Sequence, residues 1–201
     1  MTSLVVVDHG AGNLVSISQG LLASGTDVQI SSDPAVIAMA DGVVLPGVGA
    51  TETVMEGIAA AGLVDVLVGV RVPLLGICVG MQVLFDHSEE DGARCLGVIP
   101  GVVRRLEGTP RLPHIGWNDV DGSHPLFAGT DHTFYFVHSY APVPDDPDVI
   151  TGLTEYDDVF VSAVASGNFY GVQFHPERSG RAGLRLLANF VSLCEAVSLV
   201  T

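Results

Sequence analysis

Four short strand-like runs, at residues 4–7, 27–30, 42–47 and 72–77, alternate with segments whose apolar residues recur at helical spacing. That alternation is the strongest constraint on the fold. Consecutive strands separated by helices pair in parallel, and a parallel sheet needs helices on both faces. The first run, "LVVV", ends at Asp8 and is followed by Gly10 and Gly12, a turn signal. Behind it, Leu14, Ile17, Leu21 and Leu22 share a helical face, with Asn13 in capping position and Gly25 at the exit. "DPAVIAMA" (33–40) predicts a short helix with Asp33 as cap and Pro34 in the first turn. Residues 51–68 have one continuous helical period.

The second half changes character. Residues 134–140, 148–154, 159–166 and 169–174 are strand-like stretches at short spacing, which predicts meander strands added to the same domain. "PVPDDPD" (142–148) predicts a solvent loop, and residues 181–197 an amphipathic helix with Leu184, Leu187, Val191 and Cys194 on one side. The expected architecture is one α/β domain over residues 1–201: an open, mostly parallel sheet flanked by helices, with antiparallel strands in the second half. With 48% hydrophobic residues, a chain of 201 can bury such a core.

Charge narrows the partners. Twenty-three acidic against 8 basic residues give a net charge of -15, which argues against nucleic acid or an anionic membrane surface. The cysteines, Cys78, Cys95 and Cys194, are odd in number and widely spaced, so a reducing cytoplasm is expected rather than a disulfide scaffold. The opening "MTSLVVVDHG" has no basic leader, and no stretch has the length of a membrane span. No zinc-type grouping of Cys and His is present, and "HGAGN" (9–13) lacks the full glycine pattern and the basic residue of a phosphate cradle; neither metal nor cofactor is expected.

The chemistry lies in "PLLGICVGMQ" (73–82), where a thiol stands between two glycines at a strand-to-helix junction. In an open parallel sheet, sites form at the carboxyl ends of strands. A Gly-x-nucleophile-x-Gly stretch makes a tight turn that projects its central side chain outward. The following helix then points its positive end at the Cys78 sulfur, which favours the thiolate, and the Val79 N–H becomes an oxyanion donor. A lone cysteine is more often simply buried, and Cys95 and Cys194 are read that way. Cys78 needs a base. "GVQFHPE" (171–177) ends a strand-like run with His175 two residues before Glu177, an imidazole beside the carboxylate that can fix its tautomer.

"GICVGMQ" together with "GVQFHPE" resembles the class-I, triad glutamine amidotransferases. Further stretches, "DHGAGNLVSI" (8–17), "LPGVGA" (45–50), "PHIGWN" (113–118), "FYFVHSY" (134–140) and "SGRAGLRLLANF" (179–190), resemble the branch that supplies ammonia to imidazole glycerol phosphate synthesis. His9 stands where that branch usually has Tyr, Arg178 where it often has Lys, and the midsection is Asp-rich. The resemblance implies a triad of Cys78, His175 and Glu177 that hydrolyses L-glutamine to glutamate and ammonia. It also implies a (β/α)8-barrel synthase subunit, joined as a heterodimer, that receives the ammonia in histidine biosynthesis.

It implies roles for other residues as well. Val48 or Gly49 of the "PGVG" loop joins Val79 in the oxyanion hole, with the Val48 peptide misoriented until the partner binds. Gln82, one helical turn after Cys78, faces the same pocket and contacts the amino-acid end of the substrate. Ser139 and Tyr140 bind its α-carboxylate or α-ammonium through backbone groups. Pro113, His114, Trp117 and Asn118 are assigned to the partner interface, although a lone Trp reads almost equally well as core. Competing readings are a triad serving another synthase, such as one forming an aminobenzoate, and a reactive-thiol binding module without glutaminase activity.

Overall fold

The strands of the first half are buried on both faces, as their unbroken apolar runs require. In the computed structural model, which describes residues 2–108 and 111–198, β1 (Ser3–Val7), β3 (Gly42–Gly47) and β4 (Leu74–Cys78) lie side by side and parallel. β2 (Asp27–Ser31) pairs with β1 at the edge and is correspondingly more exposed.

Helices connect them. α1 (Leu14–Leu22) begins after Asn13, whose backbone carbonyl accepts from Ile17 but whose side chain makes no capping bond, contrary to expectation. Asp33 does cap α2 (Pro34–Ala38), accepting from Ala35 N–H at 2.8 Å. The helix expected over 51–68 is broken in two, α3 (Thr51–Ala60) and α4 (Val64–Val68). Gly62 at φ 68° closes α3: its N–H donates to Ala59 O, and Leu63 N–H to Ile58 O. This paired bonding ends a helix even where the apolar period runs on.

The second half extends the same sheet. β13 (Phe169–Val172) pairs parallel with β4, and β12 (Asp158–Ser166), β11 (Ile150–Tyr156) and β8 (Asp121–Gly122) continue antiparallel. The order is β2-β1-β3-β4-β13-β12-β11-β8. The stretch 134–140 departs from the meander expectation, because it breaks at Ser139 into two strands of two other sheets. β9 (Thr133–His138) forms an antiparallel ribbon with β7 (His114–Asp119), and β10 (Tyr140–Pro144) pairs with β6 (Gly101–Arg105), itself beside β5 (His87–Ser88). The expected solvent loop at 142–148 is therefore half strand. Proline is compatible with β10 because that strand is an edge.

After β4 comes the single turn α5 (Val79–Gln82), and the chain closes with α6 (Gly180–Ser198). α6 buries Leu186, Leu187, Phe190, Val191 and Cys194. Leu184, expected on that face, is 45% exposed, because the stripe is centred on 187–190–194 and leaves 184 on its flank.

Candidate active site

β4 ends in a backbone conformation that non-glycine residues avoid. Cys78 has φ 56° and ψ −113°, a strain of about 1–3 kcal/mol that the surroundings must hold in place. The two flanking glycines are what make it possible. A Cβ on Gly76 would sit 2.5 Å from Gly80 O, and one on Gly80 would overlap the Leu45 carbonyl of β3. The sharp turn therefore requires backbone-to-backbone packing on both sides, and the spacing G-x-C-x-G follows from it.

The base is carried by the segment after β13. His175 Nδ1 lies 3.0 Å from Glu177 Oε1, and both side chains are almost fully buried. A carboxylate oxygen only accepts, so Nδ1 carries the proton and Nε2 is left for the thiol. Burial pulls the His175 pKa down, but hydrogen bonding to the Cys78 sulfur and to the Glu177 carboxylate outweighs it and carries the value up to about 10. Glu177 Oε2 is buried and accepts no hydrogen bond among the described residues, so the carboxylate's one strong partner is the imidazole.

The backbone around His175 is pinned to β9. His175 N–H donates to Tyr135 O at 2.9 Å, while Ser179 Oγ donates to His175 O at 2.6 Å and accepts from Tyr135 N–H at 2.9 Å. Gly183 lets α6 start against Pro176, since a Cβ there would run into the Pro176 carbonyl.

Cys78 and His175 open into one pocket of about 180 Å³, lined also by Val48, Gly49, Val79, Gln82, Glu90, Ser139, Tyr140 and Arg178. Every triad, oxyanion-hole and substrate residue expected from the sequence, apart from the second-row Glu177, lies on its wall. Cys95 and Cys194 lie elsewhere, and burial first, then nearby carboxylates, pushes both thiols up to about 12.

The model of the family "glutamine amidotransferase class-I" matches residues 5–194. The chain belongs to that family. Curated relatives of this amidotransferase include several called imidazole glycerol phosphate synthase subunit HisH. The one from Halobacterium salinarum is 47% identical over 205 residues, covering 96% of this chain and 94% of the relative. The one from Thiobacillus denitrificans is 46% identical over 206 residues, covering 94% and 90%. A solved glutamine amidotransferase superposes with a TM-score of 0.73 at 20% identity, covering 95% of this chain and 98% of that one. PurLQS from Thermotoga maritima gives 0.68 at 16%, covering 95% and 98%; at such identities the likeness is one of fold.

Within the amidotransferase pocket, several groups refine or correct the sequence reading. Gln82 is buried, and its Nε2 donates to Tyr140 O and to Gln173 Oε1, both at 3.0 Å. Tyr140 O already accepts from Gln82 and His138, whereas Ser139 O accepts one hydrogen bond, from Leu106 N–H, and keeps a second lone pair. Glu90, missed from the sequence, brings a carboxylate to the pocket, and burial raises its pKa despite a hydrogen bond from Thr51 N–H. Gln173 was also missed. Its Nε2 lies 3.7 Å from Cys78 Sγ, and only strand alternation from His175 could have placed it there.

"PHIGWN" splits by the same alternation. Pro113, Ile115 and Trp117 face out, Trp117 at 58% exposure, so the core reading of the Trp is excluded. His114 points inward and is buried, and Asn118 reaches Glu155 O at 2.8 Å, so neither side chain shares the outward face expected for all four. On that face Trp117 meets Tyr135 edge-on at 5.8 Å, and the Arg178 guanidinium lies 4.4 Å over the Tyr135 ring.

Proposed function

We propose that this chain is the glutaminase subunit of an imidazole glycerol phosphate synthase, acting as one domain over residues 1–201. The observation that carries the reading is the strained Cys78 elbow sharing a pocket with the buried His175–Glu177 pair. Cys78 loses its proton to His175 Nε2, and the thiolate attacks the side-chain amide carbon of L-glutamine. Backbone N–H groups of Val79 and of Val48 or Gly49 hold the oxyanion, a donor set whose single loss costs about a hundredfold or more in rate. His175 returns the proton to the departing nitrogen, and the C–N bond breaks to give ammonia and a γ-glutamyl thioester. Water, deprotonated by His175, cleaves the thioester to glutamate and restores the thiol. Glu177 holds the imidazole's tautomer and its charged form throughout.

Gln82 positions the substrate, and the Glu90 carboxylate takes its α-ammonium group, a role the doubly bonded Tyr140 carbonyl leaves open. The exposed Pro113–Ile115–Trp117 face docks a (β/α)8-barrel synthase subunit in a heterodimer. That subunit takes up the ammonia and converts a phosphoribulosyl aminoimidazole carboxamide nucleotide to imidazole glycerol phosphate and AICAR. Docking turns the Val48 peptide toward the oxyanion, and Gly49, at φ 87°, is the hinge. The setting is cytoplasmic, consistent with three free cysteines and, among the described residues, no helix long and apolar enough to cross a membrane.

The test is the complex carrying Cys78→Ala. Glutamine-dependent synthesis is expected to vanish while synthesis from added ammonium salt persists. Retention of glutamine-dependent turnover would overturn the triad, and loss of both would overturn the division of labour.

A further inference from the structure

The inner face of the β7–β9 ribbon carries two buried histidines that the triad does not use. His138 lines the pocket beside His175, and His114 stands behind it. His138 Nδ1 is 2.8 Å from Tyr140 O, and His138 Nε2 is 3.2 Å from His114 Nδ1. His114 Nε2 faces Asn118 Nδ2 at 3.5 Å, and that amide also donates to Glu155 O at 2.8 Å.

Two backbone carbonyls terminate this chain, and carbonyls only accept. Tyr140 O therefore requires the proton on His138 Nδ1. Glu155 O, with Asp119 N–H donating to Asn118 Oδ1 at 2.8 Å, fixes the Asn118 amide as donor toward His114. His114 Nε2 is then an acceptor, its Nδ1 carries hydrogen, and that hydrogen occupies the lone pair of His138 Nε2. Only one arrangement satisfies every atom, and in it both imidazoles are neutral. A proton on His138 Nε2 would face the His114 N–H, and switching the His114 tautomer would move the conflict to Asn118. The walls are apolar: His114 stacks on Tyr156 at 4.0 Å and Phe136 at 4.9 Å, and Phe160 lies 4.9 Å from His138.

We propose that His114 is a positioning residue of the glutaminase reaction: its Nδ1–H fills the one open lone pair of His138 and keeps that imidazole uncharged beside His175. The proposal rests on the triad reading, because the benefit is electrostatic. His175 is an imidazolium while it holds the thiol proton, and a second cation at His138 would oppose it. Burial first, and then His114 and His175, pull the His138 pKa down to about 3 against the opposing bond to Tyr140. The other titratable groups around the pair are Cys78, Glu90, Tyr140, His175 and Arg178 in the pocket and Tyr156 against His114.

Imidazole 15N–1H correlation spectra of the full chain test the arrangement directly, without any variant. His138 is expected to hold the neutral Nδ1–H form from about pH 5 to 9; titration within that window overturns the proposal. His114→Phe keeps the stacking on Tyr156 and Phe136 but removes the donor, so His138 should begin to titrate. In the synthase complex its kcat/KM should fall about tenfold relative to the parent near pH 6, while matching it within about threefold near pH 8.5. His114→Asn, whose amide can replace the Nδ1–H, should restore the parent's acid limb. A loss by the same factor at every pH, or a His138 that stays neutral in His114→Phe, overturns the proposal. If Cys78→Ala retains turnover, the triad reading falls instead, and the spectra still decide the state of His138.

Discussion

Gly76→Ala tests whether the elbow's backbone packing sets the reactivity of Cys78. The added Cβ would lie 2.5 Å from Gly80 O, 2.7 Å from Gly80 C and 2.8 Å from Met81 Cα, all backbone atoms with no flexible side chain to yield. Ordinary contact begins at 3.4 Å, so α5 must retreat by about 0.9 Å. It cannot retreat freely, because Gly80 is already against the Leu45 carbonyl. The strain should cost about 1–3 kcal/mol, lowering the melting temperature by about 2–12 °C in a chain of this size. The catalytic effect is larger, since a nucleophile displaced by about 1 Å loses about a hundredfold in rate. The assay is steady-state glutaminase turnover in the synthase complex, beside thermal melts. kcat should fall about a hundredfold, and KM should rise with it, because Gln82, which positions glutamine, rides on the same α5 turn. Gly62→Ala is the control: φ is 68° and nothing lies within 4 Å, so it should cost about 1–2 kcal/mol with activity unchanged. A Gly76→Ala enzyme within threefold of the parent would refute the argument.

Two further outcomes are expected. Glu177→Gln removes one of the groups that hold the His175 proton, so its titration, followed by imidazole NMR, should move down from about 10. Because His175 binds its proton more tightly folded than unfolded, its contribution to stability is complete below about pH 6.5 and fades as pH rises towards about 10. Melting temperatures between those limits should decline in the parent and flatten in Glu177→Gln; a parent with no slope there would contradict the assignment. Trp117→Ala should leave the melting temperature almost unchanged, its side chain being 58% exposed, yet weaken binding of the synthase subunit by about 2 kcal/mol, roughly thirtyfold in Kd by calorimetry. Unchanged affinity would remove Trp117 from the interface.

Local physics made much of this protein legible from its sequence. Continuous apolar runs marked β1, β3 and β4, because strands buried on both faces have no polar alternation to confuse the reading. The G-x-C-x-G spacing and the two-residue step from His175 to Glu177 are local as well, and both chemistries sit within a few residues of chain. Other features depend on partners far away in sequence. The break at Ser139 follows from β9 and β10 finding β7 and β6, and no property of residues 134–140 announces it. Gln173 reaches the Cys78 sulfur, and Glu90 the pocket, only because β13 docks beside β4 and the loop after β5 folds over α3. His114 and His138 are ordinary letters in two separate motifs until the ribbon pairs them residue to residue. Short-range hydrogen bonding and steric exclusion are written into neighbouring residues, so the strands, the elbow and the triad's identities could be read directly. Long-range pairing decides which side chains share a low-dielectric pocket, and with it which imidazole holds a proton and which is kept neutral.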